Sequence, residues 1–364
     1  CYGAHGRNGD NKLSGKAGNS RSRPRPAPIR SRKLLKRLEI PETPYAGGLT
    51  RRSAHRLLAL LAGALALPTS MVKVVWAKQP EGKFQQIADG IFAHHGLHEL
   101  MNSDNHGDIA NTGFIIGEES VAVIDTGGSF HTGTALRNAV RAATAKPIRY
   151  VINTHMHPDH VLGNAAFTPD QPRFVSHAKM ARALSARGTR YLEAAKEAMG
   201  EEAFRGTEIV LPTEGVREPT TLDLGGRKLK LTPKPTAHTD NDLIIVDEKT
   251  QTAFVGDLIF SGHIPTLDGS ILGWVQVLKE VDKQPPQLIV PGHGPASMGW
   301  TAAYGPMLRY LDTVIEDVRK IIAEGGTIND AIKTAGPQEA PRWELFDEFH
   351  QRNVTAAFAE LEWE

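Results

Sequence analysis

Cysteine occurs once in 364 residues, at position 1. That scarcity excludes a disulfide framework within the chain and leaves the body without a thiolate to act as nucleophile or metal ligand. An exported protein does not need disulfides, so the compartment stays open on this count. Long apolar runs are also missing. The longest, at 57–67, has 11 residues, well short of the roughly 20 that a membrane-spanning helix needs. A basic excess is absent from the body too. The first 77 residues hold 15 Lys/Arg against 3 Asp/Glu, which leaves 27 against 38 for the rest, a net of −11. Nucleic-acid backbones are held by basic side chains, so the body is expected to bind no nucleic acid. There is no internal repeat and no interior linker.

What the chain does have begins with a basic leader. Residues 1–49 are rich in Gly, Arg, Ser and Pro with no apolar period, and read as a disordered basic extension. The chain opens on cysteine, so this stretch is expected to be an upstream extension or to start at a fragment boundary. Residues 50–77 read as a signal peptide: Arg51, Arg52 and Arg56 precede the apolar run, and Val75-Trp76-Ala77 supplies a cleavage junction. The expected product is an exported bacterial protein in the periplasm, with no membrane span after cleavage.

With 40% apolar and 23% charged residues, the body is composed like an ordinary soluble domain. "FQQIADGIFAHHG" predicts a hairpin turning at Asp89-Gly90, and "TGFIIG" with "VAVIDTG" a second strand pair. A helix is expected over 131–144, ending before Pro147. "IRYVINT" is a buried strand, and 177–204 reads as helix. "RKLKLTPKP", "DLIIVD", "TAFVGDLIF" and "PQLIVPGHG" return to strands. Leu308, Leu311, Ile315, Val318 and Ile322 then line one face of a helix over 307–322. Two sets of strands with helices outside predict layered sheets covered on both faces.

"YVINTHMHPDHVLGNAAF" runs straight from a strand into three histidines and an aspartate within six positions. His155 and His157, two apart in extended chain, point to one side and can share an ion. Asp159 and His160 turn away after Pro158 and can address a second. A metal site needs more ligands than either pair supplies. They are available at His238 in "PTAHTDNDL", Asp257 in "FVGDLIF" and His293 in "IVPGHGP", each read as lying just after a strand.

In this order, the motifs resemble those of the metallo-β-lactamase superfamily. Its His-x-His-x-Asp-His signature stands at His155, His157, Asp159 and His160, with later ligands at His238, Asp257 and His293. The resemblance implies a four-layer αββα sandwich with metals at one edge, and a hydrolase domain over 84–300 followed by a helical extension over 301–364. It further implies that His155, His157 and His238 hold one ion, Asp159, His160 and His293 a second, and that Asp257 bridges. Two zinc ions suit this nitrogen and oxygen set, which also admits iron or manganese. A hydroxide held between the metals would be the nucleophile, with Asp159 as the catalytic residue that orients it. Penicillin-degrading members often carry cysteine in the second site. Asp257 here points instead to an ester, thioester, lactone or related carbonyl substrate.

"VIDTGGS", "AHTDNDL", "HIPTLDGSILGW" and "RNVTAAFAELEWE" look like a narrower group, the quinoprotein relay system zinc metallohydrolases. That resemblance implies a small-molecule substrate and a periplasmic quinoprotein dehydrogenase as partner. Two alternatives stand beside the hydrolase: a non-catalytic metal-binding accessory of a quinoprotein or sulfur-oxidation system, and an iron-dependent dioxygenase of the same fold. His263 and His98 are candidates for touching substrate. His94, His95, His98 and Glu99 read as a solvated loop near the pocket mouth, and Asp125 as a turn residue that bonds backbone N–H groups. His106, His131 and His177 are read as structural, and Trp274 and Trp300 as core.

Overall fold

A β-hairpin opens the structured part of the chain, closed at the Asp89-Gly90 turn: β1 (Gln85–Ala88) pairs antiparallel with β2 (Ile91–His94). The computed structural model describes residues 84–364, so the basic extension expected over 1–49 and the signal peptide expected over 50–77 lie outside the described residues. β3 (Thr112–Ile116) and β4 (Val121–Ile124) continue the antiparallel sheet. It then turns parallel through β5 (Ile148–Ile152), β6 (Arg173–His177) and β7 (Glu214–Val216). Crossovers carry α1 (Phe130–Ala143), α2 (Pro158–Val161) and α3 (Met180–Phe204). The seven strands lie side by side in chain order.

A second sheet is built from β8 (Thr220–Asp223), β9 (Lys228–Pro233), β10 (Leu243–Asp247), β11 (Thr252–Phe260) and β12 (Leu288–His293), in the order β12-β11-β10-β9-β8. Only β11 and β12 are parallel, joined by α4 (Ile271–Val281). The chain ends in α5 (Trp300–Ala323), α6 (Ile328–Thr334) and α7 (Phe346–Leu361).

Apolar burial orders these pieces into layers. Ile91, Ile115, Ile124, Ile152 and Val175 of the first sheet meet Leu229, Leu231, Leu243, Ile245 and Phe254 of the second in one core. On the outer face of the first sheet, Phe92, Phe114, Val123 and Val151 pack under Leu136 and Val140 of α1. On the outer face of the second, Val255, Leu258 and Ile289 pack under Trp274 of α4, Leu311 and Val314 of α5, and Val354 of α7. The result is the αββα sandwich, with Trp274 and Trp300 in the core as read. Among the described residues no helix is long and apolar enough to cross a membrane.

Three differences from the sequence reading have local causes. The helix expected from 177 starts at Met180, because His177 closes β6, a strand whose short "RFVSH" core carries little periodicity. β7 and β8 are equally short. His94 is not a solvated loop residue: its strand continues to pair with Thr112, which buries the ring beside Phe84 with Nε2 2.6 Å from Asp108. β11 is the strand read over "TAFVGDLIF", and Asp257 lies inside it and not just past its end.

Candidate metal centre

The signature segment folds as its residues dictate. β5 ends at Ile152, Asn153 and Thr154 leave the sheet, and Pro158 starts the single turn of α2, with His157 as its N-cap. Thr126 N–H and Asn153 Nδ2 both donate to the carbonyl of His160, at 2.9 and 3.2 Å, which pins that turn against the end of β4. His238 sits between β9 and β10 in a tight turn where Asp242 accepts from Thr239 N–H and Oγ1. His293 is the last residue of β12.

Asp257 owes its direction to Gly256. That residue adopts φ +52°, the register between β11 and β12 shifts there, and a Cβ on it would sit 2.6 Å from Thr154 Oγ1. The Asp257 carboxylate therefore leaves the ladder and enters the cluster. Its Oδ2 lies 3.5 Å from His155 Nε2 and 3.3 Å from His238 Nε2; its Oδ1 lies 3.1 Å from His160 Nε2 and 3.6 Å from His293 Nε2. The structure thus brings all seven residues together as two adjoining groups that could each hold an ion: His155, His157, His238 and Asp257, then Asp159, His160 and His293.

Hydrogen-bond complementarity settles which nitrogen of four histidines is free, since a carbonyl or carboxylate only accepts. His238 donates from Nδ1 to the Thr266 carbonyl at 2.7 Å. His160 donates from Nδ1 to Asp125 at 2.9 Å, and His157 from Nε2 to Asp268 at 3.0 Å. Thr154 gives its hydroxyl proton to Asp125 at 2.7 Å and so accepts from His155 Nδ1 at 3.0 Å. With each ring neutral, as a metal ligand must be, the remaining nitrogen presents a lone pair inward. His238 Nε2 and His157 Nδ1 then face one another at 3.0 Å, a repulsive contact unless a cation joins them. His155 Nε2, His160 Nε2 and Asp257 Oδ1 are buried with no hydrogen bond of their own. Unpaired buried acceptors converging on one point fit a metal ion.

Residues 107–293, half of the chain, match the family described as the metallo-beta-lactamase superfamily. The chain belongs to the metallo-beta-lactamase superfamily. A metallo-beta-lactamase from Pontibacter korlensis superposes with a TM-score of 0.51 at 17% identity, over 63% of this chain and 98% of that one. A metallo beta lactamase from Erythrobacter litoralis gives 0.45 at 21% identity, over 63% and 95%. No curated protein matches the sequence.

The superfamily cluster is electrically divided in this chain. Burial takes His238 down to about 3 and His155 well below its ordinary value. Burial also opposes a proton on His293 and His160, but Asp257 and Asp159 face both rings. They lift His293 to about 9 and His160 well above the usual range. The carboxyl of Asp257 is held far below its normal value, burial notwithstanding, by His160, His293 and His155.

Several supporting residues escaped sequence reasoning. Asp125 accepts the Thr154 N–H at 2.8 Å, in keeping with a turn role, but it also orients His160. Asp268 orients His157 and is itself gripped by Arg187 of α3. Such outer partners set ring orientation and ligand basicity. His263 is 4% exposed, donates from Nδ1 to the Ile264 carbonyl and stands 4.9 Å behind His293, ring to ring. His98 pairs with Glu344 at 3.2 Å and, with His95, Ser261 and Gly262, lines a cleft of about 430 Å³. Phe260 stacks on His293 at 4.9 Å and 6°.

Gly292 offers a direct test of this geometry. A Cβ there would overlap Asp257 Oδ1 outright. Gly292→Ala is expected to push the carboxylate out of the cluster and lower metal stoichiometry in elemental analysis, with the circular dichroism spectrum unchanged. Native stoichiometry in that variant would show that Asp257 need not stand where it does.

Proposed function

We propose that this protein is a hydrolase that uses two zinc ions, held by His155, His157 and His238 on one side and Asp159, His160 and His293 on the other, with Asp257 between them. The observation that carries the reading is the split of Asp257, one carboxylate oxygen toward each group. Bound dications supply a polarised carbonyl and a deprotonated water at neutral pH. The chain supplies the rest. Asp125, Asp268, Thr154 and Thr266 hold four rings in their ligating tautomers. Asp159 Oδ2 lies 3.2 Å from His293 Nε2, and its side chain is 14% exposed. Against burial, His160 and His293 keep it ionised, so it can accept a proton from water and then pass that proton to a leaving group.

An ester, thioester or lactone is the substrate class we favour, since an oxygen ligand stands where penicillin-degrading relatives often have sulfur. His98 and the cleft beside it are the proposed contact for the part of the substrate remote from the carbonyl. The narrower likeness to the quinoprotein relay group, together with the leader at 50–77, supports a periplasmic protein that serves a quinoprotein dehydrogenase. A panel of esters, thioesters, lactones and β-lactams, assayed on zinc-loaded and on chelated protein, tests the reading. Metal-dependent turnover of one carbonyl class is expected. Turnover unchanged by chelation, or none with zinc fully loaded, would refute it.

A further inference from the structure

The loop at 261–270 supplies two of the outer partners of the cluster. The Thr266 carbonyl holds His238 and the Asp268 carboxylate holds His157, while Asp268 N–H donates to the His238 carbonyl at 3.1 Å. What holds this loop comes from the far end of the chain. Asn353 of α7 donates from Nδ2 to the Pro265 carbonyl at 2.6 Å and accepts the Leu267 N–H on Oδ1 at 2.9 Å. It therefore grips the residues on either side of Thr266.

Asn353 is fixed in turn by a hydrogen-bond chain with only one possible direction. His350 donates from Nε2 to the Ala335 carbonyl at 2.8 Å, so its Nδ1 must accept from Tyr310 OH at 3.0 Å. The Tyr310 oxygen then accepts the second Nδ2 proton of Asn353 at 2.9 Å. Tyr310, His350 and Asn353 are 1%, 5% and 3% exposed, so water does not substitute for these bonds. A second tether lies just beyond the loop, where Glu360 accepts from Ser270 Oγ at 2.6 Å and Ile271 N–H at 2.8 Å.

We propose that Asn353 is a positioning residue for the metal centre: by gripping Pro265 and Leu267 it fixes the Thr266 carbonyl and Asp268, and through them the ring orientation of His238 and His157. The C-terminal helices thereby build half of the site. This rests on the cluster being a metal centre. Ligand positions tolerate only about 0.2 Å of error, and loss of an outer partner typically costs about 10–100-fold in affinity. The effect is selective. The group of Asp159, His160 and His293 takes its outer bond from Asp125. The loop meets that group through its first residues, where Ser261 N–H donates to the His293 carbonyl and the His263 ring faces His293, and Ile264 N–H is held there by the Glu344 carbonyl, not by Asn353.

The test uses the full chain. Asn353→Leu keeps the branched shape but leaves the Leu267 N–H and Pro265 carbonyl unpaired. Zinc competition against a chromophoric chelator should show one ion weakened about 10–100-fold and the other unchanged. Nitrogen NMR of the imidazoles in metal-free protein should show His238 losing its single Nδ1–H tautomer. Arg309→Met is the control. It breaks the pair between Arg309 of α5 and Glu339, in the connection from α6 to α7, at 2.9 and 3.0 Å, and should lower stability without changing either zinc affinity. If Asn353→Leu does not fold, Glu360→Ala loosens the loop from its other end and should weaken the same ion. Native affinities and tautomers in the folded loop variants, or equal weakening in Arg309→Met, would overturn the proposal. A native chain that takes up no zinc would refute the metal-centre reading instead, and the metal-free tautomers would still report whether Asn353 orients His238.

Discussion

Asp257→Ala should strip both ions from the protein and abolish hydrolysis while the sandwich stays folded. The carboxylate is 3% exposed and is the only side chain in the cluster with an oxygen directed to each ligand group. Its removal takes a ligand from each ion and also the negative charge that lets two cations sit close together. Hydrolysis should fall by about three orders of magnitude, the upper end of what loss of a single transition-state contact costs, and further if metal leaves altogether. The two sheets are held together by apolar packing that the Asp257 side chain does not supply, so the variant should fold, but metal-free it should unfold at a lower temperature than metal-free native protein, because His160 and His293 lose their buried counter-charge. Elemental analysis beside calorimetry checks both halves. Retention of two ions per chain in the variant would show that Asp257 is not the bridge.

The two ions should also respond differently to pH. In the metal-free protein His160 and His293 carry protons at neutrality, His293 with a value of about 9, because Asp257 and Asp159 outweigh the effect of burial. His155 and His238 are already neutral there, His238 with a value of about 3. An ion entering the group of Asp159, His160 and His293 must therefore expel protons, and its affinity should rise about tenfold per pH unit for each proton displaced, the His293 contribution levelling off above about pH 9. His155 and His238 lose no proton over that range, so the ion they help to hold should bind with a much flatter pH dependence. Calorimetric zinc titrations in buffers of different ionisation enthalpy would count the protons released. Equal pH slopes for both ions, or no proton release at neutral pH, would contradict the division of the cluster.

The residues of the His/Asp cluster were legible in the sequence because their chemistry is local. Four crowd into residues 155–160, Asp257 and His293 stand beside glycine, and His238 sits in a polar turn between two strands. The strand pairs were legible for the same reason, since "TGFIIG" and "VAVIDTG" carry both period and punctuation. What could not be read was long-range. Asp268 and His157 are 111 residues apart and Asn353 and Pro265 88 apart, and nothing in a short polar turn or one helical asparagine announces such a partner. "TAFVGDLIF" read as strand, yet its Gly-Asp pair ordinarily marks a turn and left Asp257 read as lying past a strand. The left-handed Gly256 instead kinks the strand and lets it continue, which only the pairing of β11 with β12 reveals. His94 failed in a similar way: a histidine pair after a short strand looks solvated until the register with β3 carries it inside.

The most direct test of the account is anomalous diffraction at the zinc edge from crystals of the zinc-loaded protein. Two peaks about 3.5–4 Å apart are expected. One should be ringed by His155, His157 and His238, the other by Asp159, His160 and His293, with one oxygen of Asp257 directed to each. A single peak remote from Asp257, or none, would show that this cluster is not the two-ion centre described.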